Sequence, residues 1–473
     1  MTSRKNYLMR NTALFAISSI STKAIGFLMV PFYTYVLTSQ DYGTIDIIYT
    51  TTNILFPIVS ISIYNAVLRY AMEQGSDRSQ VFSNGALVTF LGILLTSIFT
   101  PLLRYSDLLG DYTWYIYSLI VIHCIYSLSS EFTRGIERIR SFVVGNIMLV
   151  LIIAITNLLF LGVFDMGIRG YISASVIGYT VATIYLTLSV KTYRYLTIDV
   201  INIKQNTLLK EMLWYSVFLV PNTLFFWIIN SLDRYMILYF YDASLNGIYA
   251  VAYRVPVLLT AVSQVFVQSW QLTAMKEFGT SSGVDFTNKI YNKMCVILLT
   301  ISSGIIVILK LFLKMYVGEE YFIAWQPSSF LLIAAAFTII ASFVGTSYVA
   351  AKKNAGNMLS TMVGGLVNFC MNLVLIPIWG LNGAAIATCV AYTIVIGYRL
   401  IDTRRFVYID AINFRIIFTL IINMLQIFIL FNTVVYISAW NILLFIIIIF
   451  VNREDLKLII RSLVGTMKGR LNQ

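Results

Sequence analysis

Six ionisable side chains stand in stretches otherwise apolar enough to enter a bilayer: Lys23, Asp46, His123, the adjacent Asp233 and Arg234, and Arg254. Charge in hydrocarbon is costly, so such groups mark a substrate path, an ion path or a paired partner. A guanidinium binds phosphate oxygens through two parallel hydrogen bonds, an ammonium supplies a mobile point charge, and low dielectric strengthens both. Lys23 and Arg254 are therefore expected as cavity cations for an anionic substrate. Arg234 is either a third cavity cation or the ion-pair partner of Asp233 or Asp46. Asp46 is either a proton or cation site or a salt-bridge partner, and the partner role is preferred. His123 would titrate near neutrality if exposed, but a packed, hydrogen-bonded imidazole is expected. It is the chain's one histidine, so a His-based metal centre or a Ser/His/Asp triad repeated in both halves is excluded. Cys124, Cys295, Cys370 and Cys389 lie in apolar runs without C-x-x-C spacing, which reads as small buried hydrophobes rather than metal or redox chemistry.

The elements that must position these groups are membrane helices. Of 473 residues, 59% are hydrophobic and 11% charged, against about 25% charged in soluble proteins. Apolar runs of the roughly 20 residues needed to cross a bilayer recur along the whole length. They predict fourteen helices: 11–37, 43–68, 81–103, 112–133, 142–164, 167–190, 209–240, 245–274, 290–313, 321–350, 354–378, 381–400, 412–432 and 436–452. The basic start and uninterrupted first run, to about Leu37, predict an uncleaved first helix. With the N-terminus cytoplasmic, 26 of the 33 Lys and Arg fall on the inner side and four, Arg104, Arg169, Lys310 and Lys314, on the outer. Lys23, Arg234 and Arg254 are the three within helices. This asymmetry orients the chain with both termini inside and accounts for most of the +12 net charge without nucleic acid. Removing the last two helices together would preserve it, so twelve is the alternative count. Lys23 lies roughly 18 Å into its helix and Arg254 roughly 14 Å from the outer end of its own, at 1.5 Å per residue.

The helices repeat. "NLLFLGVFDMGIRGYISASVIGY" (157–179) matches "NLVLIPIWGLNGAAIATCVAY" (372–392) through a G-x-x-G turn, Gly167/Gly170 and Gly380/Gly383. "TSQDYGTIDIIY" (38–49) pairs with "DASLNGIYAVAY" (242–253) around Gly43 and Gly247. Offsets of about 204–213 residues fit six helices per repeat. Both repeats start inside, the pattern of a two-lobed transporter whose repeats are related by an axis along the membrane normal. The expected division is an N-lobe over 1–205, a C-lobe over 206–405, and helices 13–14 with a cytoplasmic tail over 406–473. Pro31, Pro57, Pro221 and Pro256 fall in the first two helices of each lobe. Each removes a backbone hydrogen bond and predicts a bend there.

The segments "LTSQDYGTIDI", "NSLDRYMILYFYDASLNGIYAVAYRV" and "GLNGAAIATCVAY", in this order within a fourteen-helix frame, resemble the Wzx-type polysaccharide and oligosaccharide flippases. These belong to the multidrug/oligosaccharidyl-lipid/polysaccharide (MOP) exporter superfamily. The resemblance covers essentially the whole chain. It implies an all-α membrane fold in which two six-helix bundles form a V, like MATE transporters and lipid II flippases, plus two C-terminal helices. It implies a substrate too: an undecaprenyl-diphosphate-linked oligosaccharide moved from the inner to the outer leaflet of a bacterial cytoplasmic membrane. A polysaccharide polymerase and glycosyltransferases would be pathway partners. The resemblance also implies a cationic central cavity, to which Lys23 and Arg254 would contribute.

Two alternatives stay open. A lipid II flippase would share the helices and the cationic cavity. A MATE-type drug exporter predicts acidic residues for organic cations, whereas Lys23, Arg234 and Arg254 outnumber Asp46 and Asp233. A membrane-bound glycosyltransferase or polymerase would need catalytic carboxylates on a sizeable loop, and no loop here is long enough. No enzymatic activity and no cofactor are expected. The chain has no G-x-x-x-x-G-K-[ST] motif, so direct use of ATP is not expected; H+ or Na+ coupling is the alternative.

Overall fold

The computed structural model describes residues 2–73, 75–197, 206–277, 281–351, 353–410, 413–433, 435–455 and 457. Lys204, Lys352, Arg461, Lys468 and Arg470, which entered the charge count, lie outside them, as does most of the expected cytoplasmic tail. The described residues are predominantly helical, with no strand among them. Contacts divide the chain into two compact units, Met1–Gly247 and Ile248–Gln473.

The first unit holds α1 (Thr2–Val36), α2 (Ser39–Val59), α3 (Ile63–Met72), α4 (Arg78–Phe99), α5 (Thr113–Gly135), α6 (Ile139–Gly162), α7 (Gly167–Val190), α8 (Thr207–Val217) and α9 (Leu219–Phe240). It also holds the first turn of α10 (Ala243–Ala252). The second holds the rest of α10, α11 (Arg254–Glu277), α12 (Ser281–Tyr316), α13 (Trp325–Ala350), α14 (Asn354–Thr403), α15 (Phe414–Asn432) and α16 (Ala439–Val451). The unit boundary falls beyond the expected lobe boundary at 205/206 because α8 packs on α3 and α4, and α9 on α2. Buried Asn84 on α4 and Asn206, which caps α8 through Leu209 N, exchange amide hydrogen bonds of 2.7 and 3.4 Å.

Eight helices are individually long and apolar enough to cross a membrane, and ten are if α2–α3 and α8–α9 each count as one bent span. The protein is a multi-pass membrane protein. Among the described residues the sixteen helices group into fourteen helical segments, the number the sequence predicts, once α2–α3, α8–α9 and α10–α11 are joined and α14 is divided at Gly380. There the backbone takes φ 56°, ψ −133°, open in practice only to glycine, and the helix folds back on itself. Gly167, its repeat counterpart, has φ +54°. Asn157 and Asn372, which open the two copies of this motif, are both fully buried.

The prolines act unevenly. The span of α2 and α3 bends by 57°, but at Ile61 and Ser62, both left-handed, four to five residues past Pro57. Ser60 Oγ covers the Phe56 carbonyl and Ser62 N that of Pro57, so the opened turn leaves both satisfied. The eighth span breaks at Tyr253, before Pro256, and the seventh bends by 51° between 225 and 230, beyond Pro221. Pro31 does not break α1. Little more than one turn of helix follows it, and its fixed φ is already helical.

Two charges counted in the inside–outside asymmetry, both near the ends of predicted helices, are buried. Lys310 sits in α12, where its ammonium donates to the carbonyls of Leu430 (2.6 Å) and Thr433 (2.7 Å) at the C-terminus of α15 and lies 4.1 Å from the Trp325 ring centroid. Arg399 sits in α14 and donates to Ser360 Oγ, Thr361 Oγ1 and the Ala341 carbonyl at 2.6–3.0 Å, tying the two arms of α14 to α13.

Candidate functional site

The site is built where α2 and α10 begin. Each helix opens on an oxygen cap: Thr38 Oγ1 accepts from Asp41 N (3.1 Å) and Asp242 Oδ1 from Leu245 N (2.9 Å). One turn later the helices cross at Gly43 and Gly247. A Cβ on Gly43 would lie 1.7 Å from the Ala243 carbonyl oxygen, and one on Gly247 would lie 2.0 Å from that of Ser39. In the repeat register 39 corresponds to 243 and 43 to 247, so the crossing is symmetric: each glycine admits the opening turn of the other helix. The Ser39 and Ser244 hydroxyls bond across it.

Beneath the crossing lies the charged cluster. Asn246, fully buried, donates to the Gly43 carbonyl (3.1 Å) and to Asp46 Oδ2 (3.3 Å). The same Asp46 oxygen is 2.7 Å from Arg234 Nε of α9, in a pair whose side chains are 14% and 16% exposed. Arg234 Nη1 donates back to the Asn230 carbonyl at 2.9 Å and lies 3.8 Å from Asp233 Oδ1. Asp233 is buried, and its Oδ1 accepts the Arg234 backbone N–H at 3.0 Å. Neighbouring helical residues point about 100° apart, so Asp233 cannot face the Arg234 guanidinium squarely, whereas Asp46 on another helix can. Tyr235 bonds Thr51 (2.6 Å), and Trp227 Nε1 donates to the Thr50 carbonyl (3.3 Å). The face of α9 is thus laced to α2 over two turns by one ion pair and two hydrogen bonds.

The family model described as "Polysaccharide biosynthesis protein" matches residues 8–271, more than half of the chain and all of this cluster. The chain belongs to this family. Among solved structures, the chain is similar to "Lipid II flippase MurJ, inward closed conformation", at 14% identity and TM-score 0.70, over 96% of this chain and 100% of that one. It is also similar to an inward-facing multidrug resistance MATE family transporter of the MOP superfamily, at 10% identity and TM-score 0.63, over 82% and 95%. A MOP superfamily transporter from Pyrococcus furiosus matches at 11% identity and TM-score 0.58, over 83% and 95%. No curated protein matches the sequence. These likenesses establish the MOP transporter fold for this polysaccharide biosynthesis family member, as the resemblance of its segments implied.

The structure brings Asp46, Asp233 and Arg234 together. Lys23 is half-buried on α1, and Arg254, also half-buried, is the first residue of α11, directly after the break at Tyr253. His123, on α5, is stacked between Phe56 (4.2 Å between centroids, 13° between planes) and Tyr179 (5.0 Å, 33°). Phe56 stacks in turn on Tyr64, and Tyr126 meets Tyr179 edge-on. Sequence reasoning missed Asn246, Thr51, Tyr235 and Trp227. Only Asn246 carried a signal, as a polar residue beside Gly247 in the repeat segment.

Proposed function

We propose that the protein is a flippase that moves an undecaprenyl-diphosphate-linked oligosaccharide from the inner to the outer leaflet of a bacterial cytoplasmic membrane, for capsule, O-antigen or exopolysaccharide assembly. Membership of the polysaccharide biosynthesis family carries this reading. Lys23 and Arg254 hold the diphosphate, as cations in a low-dielectric cavity suit phosphate oxygens. Both termini lie in the cytoplasm. The two lobes, over 1–205 and 206–405, alternate access, and the α2–α9–α10 cluster is the outer seal that opens in each cycle. Asp46 and Arg234 latch this seal rather than contact the substrate. A proton or sodium gradient drives the cycle. Glycosyltransferases supply the lipid-linked repeat unit, and a polymerase consumes it.

Lys23→Ala and Arg254→Ala test the cavity assignment. Each is expected to abolish surface glycan, scored on intact cells, while the amount of protein in the membrane stays at the wild-type level. Normal export by both variants would refute it.

A second reading, a flippase for lipid II itself, is favoured by the full-length likeness to a lipid II flippase. Purified protein in vesicles, offered lipid II and a capsular lipid-linked oligosaccharide in turn, separates the two by which substrate crosses.

A further inference from the structure

The fold-back of α14 leaves a pocket at its base with no part in the transport site described above. The two arms run antiparallel. A Cβ on Gly364 would strike Val395, one on Gly383 would strike the Leu375 carbonyl, and one on Gly356 would strike Asp402. Each pair is centred at about residue 379. The first and last turns of α14 therefore lie side by side at one end of a hairpin whose middle is apolar enough to span the membrane. Between them is a cavity of about 430 Å³, lined by Lys353, Gly356, Leu359, Tyr398, Arg405 and Phe406 among others.

Its chemistry is that of an amphiphile's head. Asp402, on the wall, is spoken for: Tyr348 Oη donates to one oxygen at 3.0 Å, and Arg405 Nη2 lies 3.0 Å from the other. The Gly356 contact explains why no side chain is tolerated there. A Cβ would come 2.5 Å from the Tyr348 ring and 2.7 Å from the Asp402 carboxylate, breaking the bond between them. With Asp402 offset by Arg405, Lys353 leaves the lining net positive. The Lys353 ammonium stands 5.6 Å from the Phe406 ring centroid. Leu359 and Phe406 offer apolar surface next to these donors. Cations beside an apolar wall, at the basic end of a membrane hairpin, suit a phosphate carried on hydrocarbon. Basic pockets between membrane helices on the cytoplasmic side bind anionic head groups on this principle.

We propose that the pocket at the base of the α14 hairpin binds the phosphate head group of an anionic phospholipid of the inner leaflet, through Lys353, Arg405 and the Tyr398 hydroxyl. The proposal uses the membrane orientation of the functional reading but neither its substrate nor its cavity.

The test uses full-length protein in detergent. Binding of dioleoyl phosphatidylglycerol and of dioleoyl phosphatidylcholine is titrated by native mass spectrometry. Each basic side chain near an anionic head group strengthens binding about fivefold, so Lys353→Gln with Arg405→Gln should weaken phosphatidylglycerol binding roughly 25-fold. Phosphatidylcholine binding should not change. Because Arg405 also braces Asp402, Lys353→Gln alone is the second variant, with an expected loss of about fivefold. Equal phosphatidylglycerol affinity in wild type and Lys353→Gln would overturn the proposal. So would displacement of phosphatidylglycerol by millimolar inorganic phosphate, which would make the pocket a free-phosphate site. Lipid binding is read independently of glycan export, so failure here leaves the flippase reading standing, and the converse holds.

Discussion

Asp46→Asn isolates the latch. The amide keeps the size of the carboxylate and can still accept from Asn246, so the substitution removes charge rather than packing. Arg234 Nε then faces a neutral oxygen where an anion stood 2.7 Å away. Removing one partner of a buried pair costs about 3–5 kcal/mol. The residual 14–16% exposure, the Asn230 carbonyl and Asp233 at 3.8 Å still compensate part of the guanidinium charge, so about 2 kcal/mol is the reasonable share here. That is a roughly 30-fold shift of the closed-to-open ratio at the α2–α10 crossing. The Ser39 and Ser244 hydroxyls report on it, because Ser39→Cys with Ser244→Cys places two thiols where these groups now touch. Cys370 is the one exposed cysteine among the described residues and is replaced by serine in this background. Oxidative cross-linking should be near complete while Asp46 is intact and fall steeply in the Asp46→Asn variant at equal protein level. Arg234→Gln should act alike, and the double variant should lose at least 1 kcal/mol less than the sum of the singles, as for residues in direct contact. Unchanged cross-linking in Asp46→Asn and in Arg234→Gln would refute the latch.

Gly43→Ala improves helix propensity by about 1 kcal/mol, yet places a methyl 1.7 Å from the Ala243 oxygen; the same cross-link and glycan export should both be lost while circular dichroism stays helical. Arg399→Met removes three hydrogen bonds, but Ser360 and Thr361 keep their bonds to the Asn357 carbonyl. The expected loss is therefore about 2–3 kcal/mol, seen as a lower thermal midpoint in detergent. Lys310→Met uncovers the Leu430 and Thr433 carbonyls at the end of α15 and should cost a similar amount by the same measurement; a midpoint within error of wild type would show that water or lipid replaces the ammonium there.

Much of the architecture was legible because membrane insertion is a local property. A run of apolar residues must satisfy its own backbone, which makes it a helix whatever its neighbours do. Loop lysines and arginines give the expected orientation. The G-x-x-G repeat was equally visible, because a left-handed turn selects glycine at Gly167 and Gly380 alike. The burial of Lys310 and Arg399 was not legible for the same local reason: near the end of an apolar run, a buried capping cation and a solvated one look identical. The bend after Pro57 was placed in the right helix, but its position was set by Ile61 and Ser62, which carry no sequence signal of strain.

The charged cluster divides the same way. From the sequence alone, Asp233 and Arg234 had to lie in the seventh helix and point apart, because successive residues turn by about 100°. Asp46 followed as one of two partners on offer. Choosing it required the rotation of α2 and α9 about their axes and the depth at which they meet. Gly43 and Gly247 set that depth, since the backbones of α2 and α10 can approach so closely only where neither carries a side chain. Contact between residues 46, 234 and 246 depends on how three helices pack, and packing is decided only when the whole chain has folded.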